Sequence, residues 1–146
     1  MIDLNYYYMS LALKEAQIAF DMGEIPVGAI VVANHQIIGK GHNLVEQLKD
    51  PTAHAEMIAI TSACNYKGSK LLEDATLYVT LEPCCMCAGA LFWSRIQKVV
   101  YGARDIHRGF LKKQQNALHP KTEIEGGISD FECEQLLKDF FQKLRK

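Results

Sequence analysis

The segment from Val27 to Val32 constrains the fold of this chain more than any other. It reads Val-Gly-Ala-Ile-Val-Val, a run rich in β-branched side chains that contains no polar residue. A half-exposed strand alternates polar and apolar residues, whereas an unbroken apolar run is typical of a strand covered on both faces. The chain therefore requires a sheet with further structure packed above and below it.

Helical and strand patterns alternate along the rest of the chain. Residues 6–22 are predicted as an amphipathic helix ending at Gly23, and Asn34-His35 as a turn into a partner strand that begins with residues 36–39. The other predicted strands are 76–81, 99–101 and 122–124, and the other predicted helices are 52–63 with Thr52 as N-cap, 84–94 and 129–144. This alternation indicates an α/β domain with a largely buried, partly parallel sheet. Residues 102–121 form the one long irregular stretch, a length that is common in functional loops.

Length and composition set the class of protein. A chain of 146 residues suits one domain, residues 1–146, with a single core. Its 49% apolar and 23% charged residues are ordinary for a globular protein. No apolar run approaches the roughly 20 residues of a membrane helix, and the first residues lack the basic-then-apolar layout of a secretion signal. We therefore expect a cytoplasmic protein with no membrane partner.

The cysteines are unevenly spaced. The chain has five, and three of them, Cys84, Cys85 and Cys87, are almost adjacent. An odd number in this arrangement is not typical of the disulfide framework of a secreted protein. In a reducing compartment, crowded cysteines more often bind a metal or react.

The charges are unevenly distributed as well. The net charge is −1 overall, but residues 1–94 carry a net charge of −5 and residues 95–146 a net charge of +4. Six basic residues lie between Arg95 and Lys113, opposed only by Asp105, and a second basic segment, 143–146, ends the sequence. A local basic face can contact phosphates even when the whole molecule is nearly neutral. The alternative is an ordinary solvated surface.

Two short segments combine residue types that bind a metal ion: His54-Ala55-Glu56 and the segment from Pro83 to Cys87. Each lies at the N-terminal end of a predicted helix, where the positive end of the helix dipole favours thiolate. Cys84 and Cys87 are three positions apart, so both sulfurs can reach one ion from the first turn. With His54 they supply three ligands for Zn²⁺, one fewer than a closed structural site, which leaves a position for water. The pattern predicts one catalytic zinc ion per chain.

Glu56 is the predicted catalytic residue. It lies two residues beyond His54, close to the predicted ion without being needed as a ligand. A carboxylate beside a metal-bound water can accept its proton and pass it to the substrate, and the hydroxide that remains is a nucleophile for a carbon that bears an amino group. Taken alone, Cys-x-x-Cys also occurs as buried packing or a redox pair, and His-x-Glu occurs by chance. It is their combination that indicates catalysis.

The remaining cysteines and histidines are not expected to bind metal. Cys85 is expected to point away from the face shared by Cys84 and Cys87 and to belong to the core. Cys64 and Cys133 are expected to act as small hydrophobic residues on helix faces. Four histidines lack partners at metal-binding spacing: His35, His42, His107 and His119.

At these residues the chain resembles the cytidine-deaminase-like superfamily, whose signature joins His-x-Glu to Pro-Cys-x-x-Cys and uses the glutamate to move protons. More closely, it resembles the bacterial tRNA-specific adenosine deaminases. The similarity runs nearly end to end and includes residues 23–29, 50–57, 75–90, 102–105 and 140–141.

The resemblance implies a three-layer α/β/α sandwich with a mixed five-stranded sheet, and a homodimer. It also implies hydrolysis of adenosine to inosine at the wobble position of the anticodon loop of an arginine tRNA. Asn43 matches a position that hydrogen-bonds the target base, and Asp105 matches one near the ribose and the neighbouring nucleotides. The alternative for Asn43 is turn chemistry after Gly41.

One segment departs from the family pattern. After Asp105, many members carry a Gly-Ser/Thr-Leu-Met-Asn-like segment and an Asn-His pair, whereas this chain has the different sequences 108–116 and 119–121. Because RNA recognition is expected there, two other functions stay open. One is a deaminase of free guanine or cytosine, which would use the same zinc site and need no basic face. The other is a zinc-stabilised RNA-binding protein without catalysis, against which Glu56 argues.

Overall fold

The computed structural model describes residues 3–145, in which five strands alternate with helices. The elements in chain order are α1 (Leu4–Asp21), β1 (Gly28–Ala33), β2 (Gln36–His42), α2 (Val45–Leu48), α3 (Ala55–Lys67), β3 (Ala75–Leu81), α4 (Cys85–Ser94), β4 (Lys98–Ala103), α5 (Phe110–Lys113), β5 (Glu123–Glu125) and α6 (Asp130–Leu144). The predicted strands and longer helices are confirmed, with boundaries that differ by a few residues.

The sheet is mixed, as expected. Its strand order is β2-β1-β3-β4-β5, with β1 antiparallel to both β2 and β3, and with β3, β4 and β5 parallel. Strand β1 is buried along its whole length, as its apolar run predicts. Asn34 and His35 both have positive φ and form the tight turn between β1 and β2.

Helices cover both faces of the sheet, which confirms the three-layer sandwich. Alternate residues of β1 divide between the two layers, because successive side chains of a strand point to opposite faces. Ile30 packs with Met9 and Ala12 of α1 on one side, whereas Val31 packs with Ala59 of α3 and Leu91 of α4 on the other. Helix α6 lies on the α1 side, against β4.

Two glycines of β2 allow α3 to approach the sheet closely. A Cβ atom added at Gly39 would lie 2.5 Å from the carbonyl oxygen of Ala59, and one added at Gly41 would lie 2.5 Å from that of Ala55. Contacts this short are not compatible with any larger residue. The close approach places the N-terminus of α3, with His54 and Glu56, beside the end of the sheet.

Two predictions about local structure are wrong. Thr52 is not the N-cap of α3. Its backbone N–H and its hydroxyl both donate hydrogen bonds to the Asp50 carboxylate, and the Ala53 N–H donates to the Asp50 carbonyl, so residues 50–53 form a turn. The helix begins only at Ala55, with His54 as N-cap. The stretch 102–121 is not wholly irregular, because β4 extends to Ala103 and α5 forms within it.

No helix described for residues 3–145 has both the length and the apolar composition needed to span a bilayer. Of the basic C-terminal segment 143–146, Lys146 lies outside the described residues.

Candidate metal centre and active site

The N-termini of α3 and α4 meet at one end of the sheet, beyond the last residue of β3. His54 is the N-cap of α3 and Cys84 is the N-cap of α4, and both have extended backbone conformations. Neither side chain makes a capping hydrogen bond to its own helix. Both are therefore available to bind something else.

The cap of α3 is supplied from a distance. The Asn43 side-chain oxygen accepts a hydrogen bond of 2.8 Å from the backbone N–H of Ala55, twelve residues away. This satisfies one of the N–H groups that have no partner within a helix. Asn43 thereby performs the task that the sequence assigned to Thr52, and the His54 imidazole is left free.

The three predicted ligands lie together. His54 Nδ1 is 3.7 Å from Cys84 Sγ and 3.5 Å from Cys87 Sγ, and the donor atoms all lie within 4.8 Å of one another. Zinc bonds of about 2.1 Å to nitrogen and about 2.3 Å to sulfur, meeting at a tetrahedral angle, separate those two atoms by about 3.6 Å. The spacing and the N/S donor chemistry fit zinc. Within residues 3–145 this is the one group of three or more such side chains close enough to hold an ion.

The two sulfurs differ in acidity. The hydrogen bond from Cys87 lowers the pKa of Cys84 to about 4, whereas the same contact, together with burial, raises the pKa of Cys87 above its ordinary value. The hydrogen bond with Cys84 also raises the pKa of His54. One sulfur therefore becomes thiolate readily, and the proton held by the other would be released on binding a cation, since metal ligands must be deprotonated.

Glu56 is buried in the first turn of α3, with 4% of its surface exposed. Burial raises the pKa of its carboxyl group to about 7. A group that titrates near neutral pH can both accept and return a proton there. Its side chain lines the same cleft as His54 and Cys84.

That cleft has a volume of about 1420 Å³. Its walls include Asn43, Val45 and Glu46, residues 102–108 and the cleft-facing side of α6, where Leu137 and Phe141 contribute apolar surface. Asn43 also lines it and donates a hydrogen bond of 3.0 Å to the Ile25 carbonyl. An asparagine amide carries two hydrogens, and among the described residues the second one has no partner.

Asp105 lines the cleft from the segment that follows β4. One of its carboxylate oxygens accepts hydrogen bonds from the backbone N–H groups of His107 (3.2 Å) and Arg108 (3.0 Å). In this structure its carboxylate therefore shapes the turn 105–108. A second cavity of about 520 Å³ lies beyond this turn and is lined by Ile106, His107, Lys112 and Lys113.

The basic segment 95–113 is divided by the fold. Arg104 and Arg108 line the cleft and Lys112 and Lys113 line the adjoining cavity. Arg95 and Lys98 lie toward the opposite end of the sheet, since β4 starts there and runs toward the cleft.

Cys85 is exposed, so its assignment to the core is wrong. It is the first residue of α4, and its position on that turn faces solvent, whereas Cys87 faces the interior. Cys133 is buried and Cys64 is half-buried, and both pack against apolar clusters as expected. His42 is paired with Glu15 at 2.9 Å.

Two buried carboxylates near the cleft were not singled out from the sequence, namely Glu24 and Glu82. Glu24 accepts hydrogen bonds from the backbone N–H groups of Glu46 and Gln47 at the start of α2. Glu82 accepts hydrogen bonds from the segment after β4. The sequence signal that could have identified Glu82 as a buried carboxylate is its position directly after a buried apolar strand, in Leu81-Glu82-Pro83.

Known proteins resemble this chain in sequence and in structure. The sequence model of the family described as "Cytidine and deoxycytidylate deaminase zinc-binding region" matches residues 3–103. A tRNA-specific adenosine deaminase of Aquifex aeolicus is 49% identical over 95% of both chains. A solved structure from work on A-to-I editing by tRNA:A34 deaminases at the wobble position of transfer RNA aligns with a TM-score of 0.84 and 37% identity, covering 89% of this chain and 98% of that one.

A guanine deaminase of Bacillus subtilis is also similar, with a TM-score of 0.66 and 36% identity over 75% of each chain. The similarity to the tRNA enzymes covers more of both chains. The chain belongs to the family of tRNA-specific adenosine deaminases, within the larger family that shares the cytidine and deoxycytidylate deaminase zinc-binding region.

Proposed function

We propose that this protein hydrolyses adenosine to inosine at the wobble position of a tRNA anticodon loop. The observation that carries the proposal is a metal donor set beside a buried glutamate, in a cleft bordered on one side by basic residues. The Aquifex aeolicus relative is named as a tRNA-specific adenosine deaminase, and the solved structure that is 37% identical comes from work on tRNA:A34 deaminases at the wobble position.

The proposal assigns one Zn²⁺ per chain to His54, Cys84 and Cys87. When bound, zinc supplies a Lewis acid that makes water a nucleophile near neutral pH. Glu56 would accept a proton from the attacking water and pass it to the amino nitrogen, while the water oxygen bonds to C6 of the adenine and the C6–N bond breaks, so that the nitrogen leaves as ammonia. The buried position of Glu56 at the wall of the cleft, beside the proposed ligands, suits both transfers.

Two further residues are assigned to the substrate. Asn43 lines the cleft, has one amide hydrogen without a partner among the described residues, and is proposed to hydrogen-bond the target base. Asp105 is proposed to lie near the ribose and the neighbouring nucleotides, at the turn that its own carboxylate shapes. Both residues line the same cleft as His54 and Cys84.

The size of the cleft favours a large substrate. Small-molecule sites usually have volumes of roughly 300–1,000 Å³, whereas this cleft has about 1420 Å³ and adjoins a second cavity. Basic residues border it on the α5 side, whereas α6 contributes Asp130 and a Glu134–Lys138 ion pair on the other. We therefore expect RNA phosphates on the α5 side.

Incubation of the purified zinc-loaded protein with a tRNA pool tests the proposal. We expect inosine at the wobble position of at least one tRNA, with release of ammonia, because a loop base is already partly unstacked and costs little to extrude. The measurement is mass spectrometry of digested tRNA, with guanine and cytosine assayed in parallel. Ammonia from either free base, with no inosine in tRNA, would support the alternative of a free-base deaminase instead.

Replacing Arg108, Lys112 and Lys113 together with Gln should weaken tRNA deamination and reduce its dependence on salt. Each contact to a single-strand phosphate contributes about 0.7 to the slope of log affinity against log salt, so the slope should fall by up to about 2. The measurement is KM for an anticodon stem-loop at several salt concentrations. Zinc content should not change, because none of the three residues is a proposed ligand.

A matched triple variant controls for net charge. Lys70, Arg95 and Lys121 are exposed and line neither cavity, so replacing them with Gln removes the same charge from elsewhere. This variant should keep the wild-type salt slope. Equal slopes for the two triple variants would contradict the proposed phosphate contacts.

We also propose that residues 1–146 form one domain, that the protein is a homodimer, and that it acts in the cytoplasm, where its tRNA substrate is found. Apolar surface on α4 supports the dimer, since Trp93 is 76% exposed and Met86 is 39% exposed. Exposed apolar patches of this kind often mark protein–protein contacts.

A further inference from the structure

The Glu82 carboxylate is buried at the wall of the substrate cleft that also contains His54 and Cys84. Its side chain is fully buried, directly after β3 and two residues before Cys84. One oxygen accepts hydrogen bonds from Arg104 Nε (2.7 Å) and from the backbone N–H of Asp105 (3.0 Å). The other accepts a bond of 3.0 Å from the backbone N–H of Leu111.

These bonds hold the segment 104–111, which we call the cleft loop. The parallel pairing of β3 with β4 ends at Leu81 and Ala103. Main-chain bonding resumes only near the far end of the loop, where the Phe110 N–H donates to the Pro83 carbonyl (3.0 Å) and Gly109 bridges to Cys84, so among the described contacts Glu82 supplies the side-chain bonds that hold residues 104 and 105. Glu82 bonds the cleft loop near both of its ends, at residues 104–105 and at residue 111. The Asp105 carboxylate then shapes the turn in between.

A glycine makes room for the carboxylate. A Cβ atom at Gly109 would lie 2.1 Å from Glu82 Oε2 and 2.6 Å from the Asp105 carbonyl oxygen. The φ angle of Gly109 is −67°, which any residue adopts. Glycine is therefore required here by the close approach of the Glu82 carboxylate and not by backbone conformation.

We propose that Glu82 is a positioning residue for substrate recognition: it fixes the cleft loop, and through it Asp105 and Arg108, relative to the proposed metal ligands. The proposal rests on the proposed function for its substrate, an anticodon loop. Glu82 lines the cleft, but its carboxylate accepts three hydrogen bonds from other residues of the protein, so we assign it no role in the chemical step. Its effect should appear in substrate binding rather than in the chemical step.

The Glu82→Gln variant tests this in the zinc-loaded enzyme. Glutamine has almost the same shape but one acceptor oxygen, so its NH₂ group must face at least one of the N–H donors of the cleft loop. Leaving a buried donor without an acceptor costs enough to raise KM for an anticodon stem-loop about tenfold, with kcat and zinc content close to wild type. Hydrogen exchange, measured without RNA, should become faster in residues 104–111 and not in β1 or β3.

Gly109→Ala perturbs the same contact from the other side. The added methyl group must displace the Glu82 carboxylate or the loop, while the charge and every proposed ligand remain. We expect the same increase in KM and the same local increase in hydrogen exchange. If Glu82→Gln does not fold, Gly109→Ala decides the question alone.

Ser94→Ala is the control for the loss of a buried hydrogen bond. The Ser94 hydroxyl donates to the Leu91 carbonyl at the far end of α4, roughly 15 Å along the helix from Cys84. KM and exchange in the cleft loop should stay at wild-type values. Unchanged exchange in residues 104–111 of both test variants would overturn the proposal, and so would parallel losses of kcat, zinc and overall protection. Absence of inosine with the wild-type enzyme would refute the proposed function instead, because hydrogen exchange reports on the loop without a substrate.

Discussion

The Cys87→Ala variant is expected to lose its zinc and all measurable deamination. Cys87 is fully buried, and its sulfur lies 3.5 Å from His54 Nδ1. Removing one of three proposed ligands leaves two, which do not hold zinc against dialysis. Because a metal that binds only the folded state stabilises it, the free energy of unfolding should fall by about 3 kcal/mol when free zinc is about 100 times the wild-type dissociation constant. Zinc per chain, thermal melting and inosine formation are the measurements.

The neighbouring cysteine provides a matched control. Cys85 is exposed and its sulfur is not part of the donor group. Cys85→Ala should therefore keep its zinc, its melting temperature and its activity. Zinc retained by Cys87→Ala, or lost by Cys85→Ala, would show that the ligands have been assigned wrongly.

The Glu56→Ala variant should lose turnover and keep its zinc. The carboxylate is proposed to move protons and not to bind the ion, so its removal affects the reaction alone. General acid–base groups contribute about 10²–10⁴-fold, and Glu56 is proposed to act in both proton transfers. We therefore expect a loss of at least about 10³-fold in kcat. Zinc content and inosine formation should be measured on the same preparation.

Glu56→Gln separates the carboxylate charge from the shape of the side chain. It fills the same buried space but cannot accept a proton, so it should be as inactive as Glu56→Ala. Burial raises the pKa of the native carboxyl group, which means that the charged form is disfavoured there. The neutral variant should consequently be no less stable than wild type. If either variant loses its zinc, Glu56 is a ligand and the assigned roles are wrong.

Most of the fold could be predicted from local pattern. The β-branched run from Val27 to Val32 required a strand covered on both faces, and Asn34-His35 indicated a tight turn. Both signals arise from neighbouring residues, whose preferences for backbone dihedrals and burial do not depend on distant contacts. The candidate donors could be identified for the same reason, since Cys84 and Cys87 lie in one helical turn and His54 begins another helix.

Features that depend on distant partners could not be predicted. Thr52 is suited to be an N-cap, yet Asp50 binds it and Asn43 caps the helix instead. The exposure of Cys85 likewise depends on which side of α4 meets the sheet. Helical periodicity shows which residues share a face but does not say which face is covered.

The sequence by itself therefore determined the order of helices and strands, the mixed sheet expected from the family, and the residues that could bind zinc. Only the tertiary structure decided which N–H groups Asn43 and Glu82 bind, since these donors lie 12 to 29 residues further along the chain. It also decided which basic residues of the segment 95–113 border the cleft and the adjoining cavity. The physical reason is the same in each case. A buried polar group must find a partner wherever packing places one, and that choice is made only when distant segments meet.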